Sequence, residues 1–225
     1  MTHTASNGIN RVIRYLIAYD FVLNFAFGLL SPIFAVYVLR NVGGADLKVI
    51  GTAISIYWLA RIFSTTPLSR FMDKTDGERD EFYFTIVGTL IISTIPILLI
   101  FAKLPWQLYV IQFIHGLANS MAVPGWRILF TDHIDKGATG YEWSIEDIAI
   151  GIAVGSSAYL GSLLADQFGF TTVLVLLAGL GYVSVLFLVP LSPEFKRLRE
   201  LRRTHRLADI RSRREHSVHP SHHVK

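Results

Sequence analysis

The chain has 225 residues, of which 52% are hydrophobic and only 17% charged, with 21 Lys and Arg against 17 Asp and Glu. Soluble domains carry about 25% charged residues, and here the charges avoid six long apolar blocks, each too apolar all round to keep the polar face that a soluble bundle helix needs. The absence of cysteine excludes disulfides and thiolate metal sites.

A bilayer core takes roughly 20 apolar residues per spanning helix, and each block meets that length. The first block, 15–39, is too long for the apolar core of a cleavable signal peptide, so it is expected to remain as the first spanning helix. Its polar residues Asp20, Asn24 and Ser31 stand at offsets 0, 4 and 11, on one helical stripe. The second block, 48–71, carries Arg61 just past its middle. An Arg at the bilayer centre costs about 2.5–3.5 kcal/mol on insertion scales, so it needs a partner. A substrate-anion or coupling-ion site and a structural ion pair both remain open, with Asp20 as a candidate partner. The third block, 82–102, is almost wholly apolar.

The fourth block, 106–130, places Gln112, His115 and Asn119 at offsets 0, 3 and 7, with Trp126 a further seven along. His115 is the one histidine inside a predicted helix, either a proton carrier or a neutral packing residue. The two polar stripes predict a hydrated cavity between the first and fourth helices, against the simpler reading of interhelical hydrogen bonds. In the fifth block, 144–165, Glu146 and Asp147 lie one turn in, as an inner gate or as negative charge at a helix N-terminus. Gly151, Gly155, Ala158 and Ser162 form a small-residue face, of the kind that lets helices approach closely, either within the chain or against a second copy. The sixth block is 170–190. The chain thus divides into a cytoplasmic N-terminus, 1–14, a six-helix membrane domain, 15–190, and a basic cytoplasmic tail, 191–225.

In the tail, Phe195, Leu198 and Leu201 share one face of a Lys- and Arg-rich run. It is expected to lie on anionic lipids of the inner leaflet, or to act only as a topology determinant; nucleic acid is not its expected partner. His216, His219, His222 and His223 lack a carboxylate or cysteine framework and are not expected to hold a metal. With the N-terminus inside, the inner segments hold 17 Lys and Arg and the outer loops 3. Positively charged loops stay inside, so both ends are expected in the cytoplasm of a cell whose inner membrane the chain crosses. No Gly-x-Ser-x-Gly, phosphate loop or zinc helix is present, and no enzyme activity or cofactor is expected.

Gly28-Leu29 followed by Arg40, and Gly116-Leu117 followed by Arg127, hint at two three-helix repeats. An odd number of helices per repeat would invert the second, a known building plan of secondary transporters. After the second helix, Pro67-Leu-Ser69-Arg-Phe-Met-Asp73-Lys74-Thr-Asp-Gly77-Glu-Arg79 resembles the cytoplasmic loop motif Gly-x-x-x-Asp-Arg-x-Gly-Arg of the major facilitator superfamily. Ser69 stands where that family prefers Gly. The runs Phe113-Ile-His115-Gly116-Leu-Ala-Asn119 to Arg127, and Gly161-Ser-Leu-Leu-Ala-Asp166-Gln-Phe-Gly169, are similar to the family as well.

The resemblance covers residues 10–190 and implies an all-α N-terminal-type half: six transmembrane helices as two inverted three-helix repeats. It implies movement of a small solute by alternating access, with protons as a candidate coupling ion. Ser69, Asp73, Lys74, Gly77 and Arg79 would then serve as the inner latch. Two departures stand out. Gln112 occupies the place of the family's fourth-helix Arg, and the fifth-helix exporter motif survives only as Gly151-x-x-x-Gly155-Ser156. A six-helix half has one cavity wall, so a parallel homodimer is expected. A separately encoded partner half, a truncated chain and a non-transporting accessory module are the alternatives.

Overall fold

The computed structural model describes residues 9–74 and 79–193, and among them regular structure is entirely helical. In chain order the helices are α1 (Arg11–Leu30), α2 (Phe34–Asn41), α3 (Leu47–Lys74), α4 (Arg79–Phe101), α5 (Pro105–His133), α6 (Thr139–Phe168) and α7 (Phe170–Leu186). α1 and α2 make a single span, joined by the 3-10 turn Ser31–Ile33. Pro32 has no N–H to give to the helical ladder, which places the break there. Asn10 caps α1 by accepting from the Val12 N–H at 2.8 Å. Gln107 performs the same service at the start of α5, its Oε1 accepting from the N–H groups of Lys103 at 2.7 Å and Leu104 at 3.0 Å. A single residue, Gly169, separates α6 from α7; its φ of 83° is one that glycine adopts without steric cost.

Among the described residues, five spans are long and apolar enough to cross a membrane: Arg11–Asn41, Leu47–Met72, Arg79–Phe101, Thr139–Phe168 and Phe170–Leu191. α5 has 29 residues, about 43 Å at 1.5 Å per residue, but Gln107, Gln112, His115 and Asn119 dilute its apolar character. It packs between α3 and α4.

The internal repeat is visible in the packing. α1 packs on α6 and α7, α5 packs on α3 and α4, and α4 packs on α7. Exchanging α1 with α5, α3 with α6, and α4 with α7 returns these contacts unchanged, while α6 also touches α7. The two glycines that suggest the repeat occupy matching places in it. A Cβ on Gly28 would strike Ser157 and Val154 of α6, and one on Gly116 would strike the Tyr57 carbonyl and Ala60 of α3.

Two apolar clusters fill the ends of the bundle. One surrounds Tyr37, Leu99, Leu108, Leu174 and Leu177; the other surrounds Ile13, Leu16, Leu129, Phe130 and Leu188. Buried polar groups between them are satisfied within the bundle, as a membrane interior requires. On α4, Thr85, Thr89 and Ser93 each donate to the carbonyl four residues back at 2.7 Å. The Tyr37 hydroxyl donates to the Leu99 carbonyl at 2.6 Å.

The Gly116 contact yields a test. Gly116→Val forces α5 off α3, and overpacking of this kind costs about 1–3 kcal/mol. Gly179, where an added methyl would meet nothing within 4 Å, serves as the comparison. Thermal unfolding in detergent should show a clear loss for Gly116→Val, while Gly179→Ala stays within about 0.5 kcal/mol of the parent.

Candidate functional site

Four helices carry one continuous polar and aromatic wall. α1 contributes Asp20, Asn24 and Phe27, the turn after it Ser31, and α3 contributes Ile54, Tyr57, Trp58 and Arg61 on one helical face. α5 adds Gln112, His115, Asn119 and Arg127, and α6 adds Glu146. The wall holds two chambers. One, of about 360 Å³, is mainly apolar and is bordered by Phe34, Ile54, Trp58, Leu177, Ser31 and Gln112. The other, of about 410 Å³, collects Asp20, Asn24, Arg61, Asn119, Arg127 and Glu146. Phe27, Tyr57 and His115 border both.

Those three rings form a septum. The imidazole of His115 stacks against Phe27 at 5.8 Å and 20°, and against Tyr57 at 4.8 Å and 50°. Its Nδ1 lies 3.2 Å from Gln112 Oε1. A carbonyl oxygen only accepts, so Nδ1 carries the hydrogen in this contact. Gln112 is itself buried, and it fixes the ring's orientation.

In the charged chamber, Asn24 Nδ2 donates to Asp20 Oδ2 at 2.9 Å and to the Asp20 carbonyl at 2.9 Å. The carboxyl of Asp20 also meets that of Glu146 within hydrogen-bonding reach, and Arg127 acts on both. A proton shared by the two carboxyls would let them bond to each other.

Arg61 is placed otherwise than expected. It shares the chamber with Asp20, but its Nη1 donates to the Tyr57 hydroxyl at 3.1 Å, and its Cζ lies 5.1 Å from the Trp58 ring centroid. A cation over an indole gains about 0.5–2 kcal/mol, which only partly offsets the cost of its depth.

Sequence reasoning brings Asp20, Asn24, Gln112, His115 and Asn119 onto the wall, with Ser31 in the apolar chamber. It gives Glu146 a surface role because the apolar block of the fifth helix starts at residue 144. α6 begins at Thr139, which carries Glu146 two turns in, where it is buried. Arg127 counts among the inner loop residues in the charge pattern, yet α5 continues past it to His133. The spacing of Tyr57 and Trp58 ahead of Arg61, four and three residues, is the available signal for the aromatic cradle.

The remaining candidates are dispersed. Ser69 lies half-buried in the last part of α3, Asp73 and Lys74 end that helix, and Arg79 opens α4 with its guanidinium 5.3 Å from the Tyr83 ring. Gly77 and the basic tail lie outside the described residues. On α6, a Cβ at Gly151 or Gly155 would meet nothing within 4 Å, Ala158 is half-buried, and Ser162 donates to the Ala158 carbonyl at 3.0 Å. The face that α6 buries against α1 is the neighbouring one, through Ala153, Ser157 and Gly161. Among the described residues no group of three or more His, Asp or Glu could hold a metal.

Residues 17–218 match the family model of the Major Facilitator Superfamily. The chain is 27% identical over 169 residues to the multidrug resistance protein MdtG of Dickeya zeae, covering 74% of this chain and 40% of that protein. It is 26% identical over 167 residues to MdtG of Serratia proteamaculans, covering 72% and 39%. The chain therefore spans about two-fifths of the length of the curated relatives it matches. A crystal structure of the POT family transporter PepTSo superposes on 82% of this chain and 38% of that one, with a TM-score of 0.64 at 15% identity, a likeness of fold.

The carboxyl contact can be tested in unfolding experiments. Asp20→Ala and Glu146→Ala should be non-additive, with a coupling of about 0.5–3 kcal/mol as for residues in direct contact. Additive losses would separate the two side chains.

Proposed function

The chain belongs to the Major Facilitator Superfamily, and on that footing we propose that it is a secondary active transporter subunit that moves a small solute by alternating access. The family is one of membrane transporters, which sets enzyme chemistry aside. The observation that carries the reading is the two-chamber wall, with Asp20, Arg61, Arg127 and Glu146 brought together among membrane-spanning helices. Ionisable groups at such depth are costly and mark substrate and ion pathways. A proton shared between Asp20 and Glu146, beside Arg127, would make protons the coupling ion. Release of that proton would leave two carboxylates in contact, and their repulsion supplies a force that separates α1 from α6.

The wall needs an opposite face, and we propose a second copy of this chain, related by a two-fold axis along the membrane normal. α3 and α6 support this. They are buried along only 17% of their apolar windows, against 44% for α4 and α7. Gly51 and Gly155 are exposed on them with open space before each Cα. Small residues gain nothing against lipid and much against a closely packed helix. In this reading both ends of the chain are cytoplasmic, the segment from Ser69 to Arg79 latches the inner side, and the basic tail rests on inner-leaflet lipids.

Two measurements bear on this. In proteoliposomes, Asp20→Asn should abolish accumulation driven by a pH gradient while solute exchange persists; unchanged accumulation would remove protons from the scheme. The purified protein in nanodiscs, weighed by light scattering corrected for lipid, should give twice 25.3 kDa. A monomer that captures another membrane protein would replace the homodimer with a heteromeric transporter or an accessory module.

A further inference from the structure

We propose that the wall takes an amphipathic organic anion, its apolar body in the chamber beside Trp58 and its anionic group on Arg61. The proposal rests on the transporter reading above and names the class of its substrate.

Charge is the first argument. Asp20 and Glu146 stand together, and Arg127 acts on both. Arg61 stands outside that set. It sits midway along α3, about 20 Å from either end at 1.5 Å per residue, too deep for its guanidinium to reach bulk water or lipid phosphates. Its neighbours are a phenol hydroxyl at 3.1 Å and an indole face at 5.1 Å, both neutral. A guanidinium presents its donors as a planar fork suited to an oxyanion, and the hydrogen bond to Tyr57 involves Nη1 alone. Arg61 borders the charged chamber and makes no ion pair among the described residues.

Shape and polarity are the second. Arg61 stands beside the septum, so a group held on it lies within a side chain's length of the apolar chamber. That chamber, about 360 Å³, is within the roughly 300–1,000 Å³ range of small-molecule sites. Its walls offer Phe34, Ile54, Trp58 and Leu177, with few polar groups among them. Trp58 is 50% exposed and serves both ends, cradling the cation and offering its indole to the ligand body. A solute with one anionic end and one apolar end satisfies both features; a cation would be repelled by Arg61, and a wholly polar solute would leave the larger part of the apolar wall unused.

The test is calorimetric titration of the full chain in nanodiscs with three matched probes: 2-naphthoate, 2-naphthylmethanol and 2-naphthylmethylammonium. Naphthoate should bind about tenfold or more tighter than the alcohol, as a charge-assisted hydrogen bond provides, and the ammonium weakest. Arg61→Gln should erase the preference for naphthoate while keeping the alcohol's affinity, and Arg61→Lys should retain part of it. If Arg61→Gln binds neither probe, the Lys variant decides: preference retained supports the proposal, preference lost overturns it. Equal binding of the three probes, preference for the ammonium, or no binding at all also overturns it. A carboxylate from the second body seated on Arg61 would show as such a loss of preference. Naphthoate binding without flux of any solute would leave this assignment standing and remove the transporter reading; flux without anion preference would do the reverse.

Discussion

The arrangement depends on places where glycines bring helices into close contact, Gly28 and Gly116 among them. Gly28 lets α1 approach Ser157 on α6, and Gly116 lets α5 approach the Tyr57 carbonyl on α3. Lipid gives helices no hydrophobic reason to associate, so close packing and internal hydrogen bonds must hold them. With those contacts made, the polar stripes of α1 and α5 and the aromatic face of α3 come to line a common wall. A side chain at either glycine would splay a helix pair and draw that wall apart. The same economy governs α4, whose hydroxyls return to their own helix and so ask nothing of the surrounding lipid.

The wall itself is a balance between burial and charge. Carboxyls and guanidinium groups stand among membrane-spanning helices, and each is answered differently. Asp20 and Glu146 stand against each other, with Arg127 acting on both. Arg61 leans on the Trp58 face and the Tyr57 hydroxyl, and an aromatic face stabilises a cation without neutralising it. His115 is held by Gln112 and by two rings. A bundle concerned only with its own stability would bury apolar groups here, since replacing buried ions by well-packed hydrophobic residues is often neutral or stabilising.

Much of this is legible in the sequence because the membrane makes a simple demand. Long apolar blocks must be helices, and polar residues at offsets of three, four and seven must share a face. That rule alone finds Asp20, Asn24, Gln112, His115 and Asn119. The rule fails at block ends, where apolarity fades before the helix does. Glu146 and Arg127 lie in such fringes: α6 starts before its apolar block and α5 outlasts its own. The partner of Arg61 is hidden for another reason. Charge invites the choice of an opposite charge, and the one sequence signal for Tyr57 and Trp58 is their spacing of four and three residues ahead of Arg61.

Gly169 gives this bundle a lever. A single residue joins α6 to α7, so the two helices share a pivot at that end and have no slack there. Gly161, eight residues from the pivot, is pinned to the Leu29 backbone. Glu146 lies 23 residues from the pivot, an arm of about 34 Å at 1.5 Å per residue. A rotation of about 5° would carry it about 3 Å, as far as a hydrogen bond is long, while the pinned end moves by about 1 Å. A rigid tilt about Gly169 would therefore be felt about three times more at Glu146 than at the Gly161 contact.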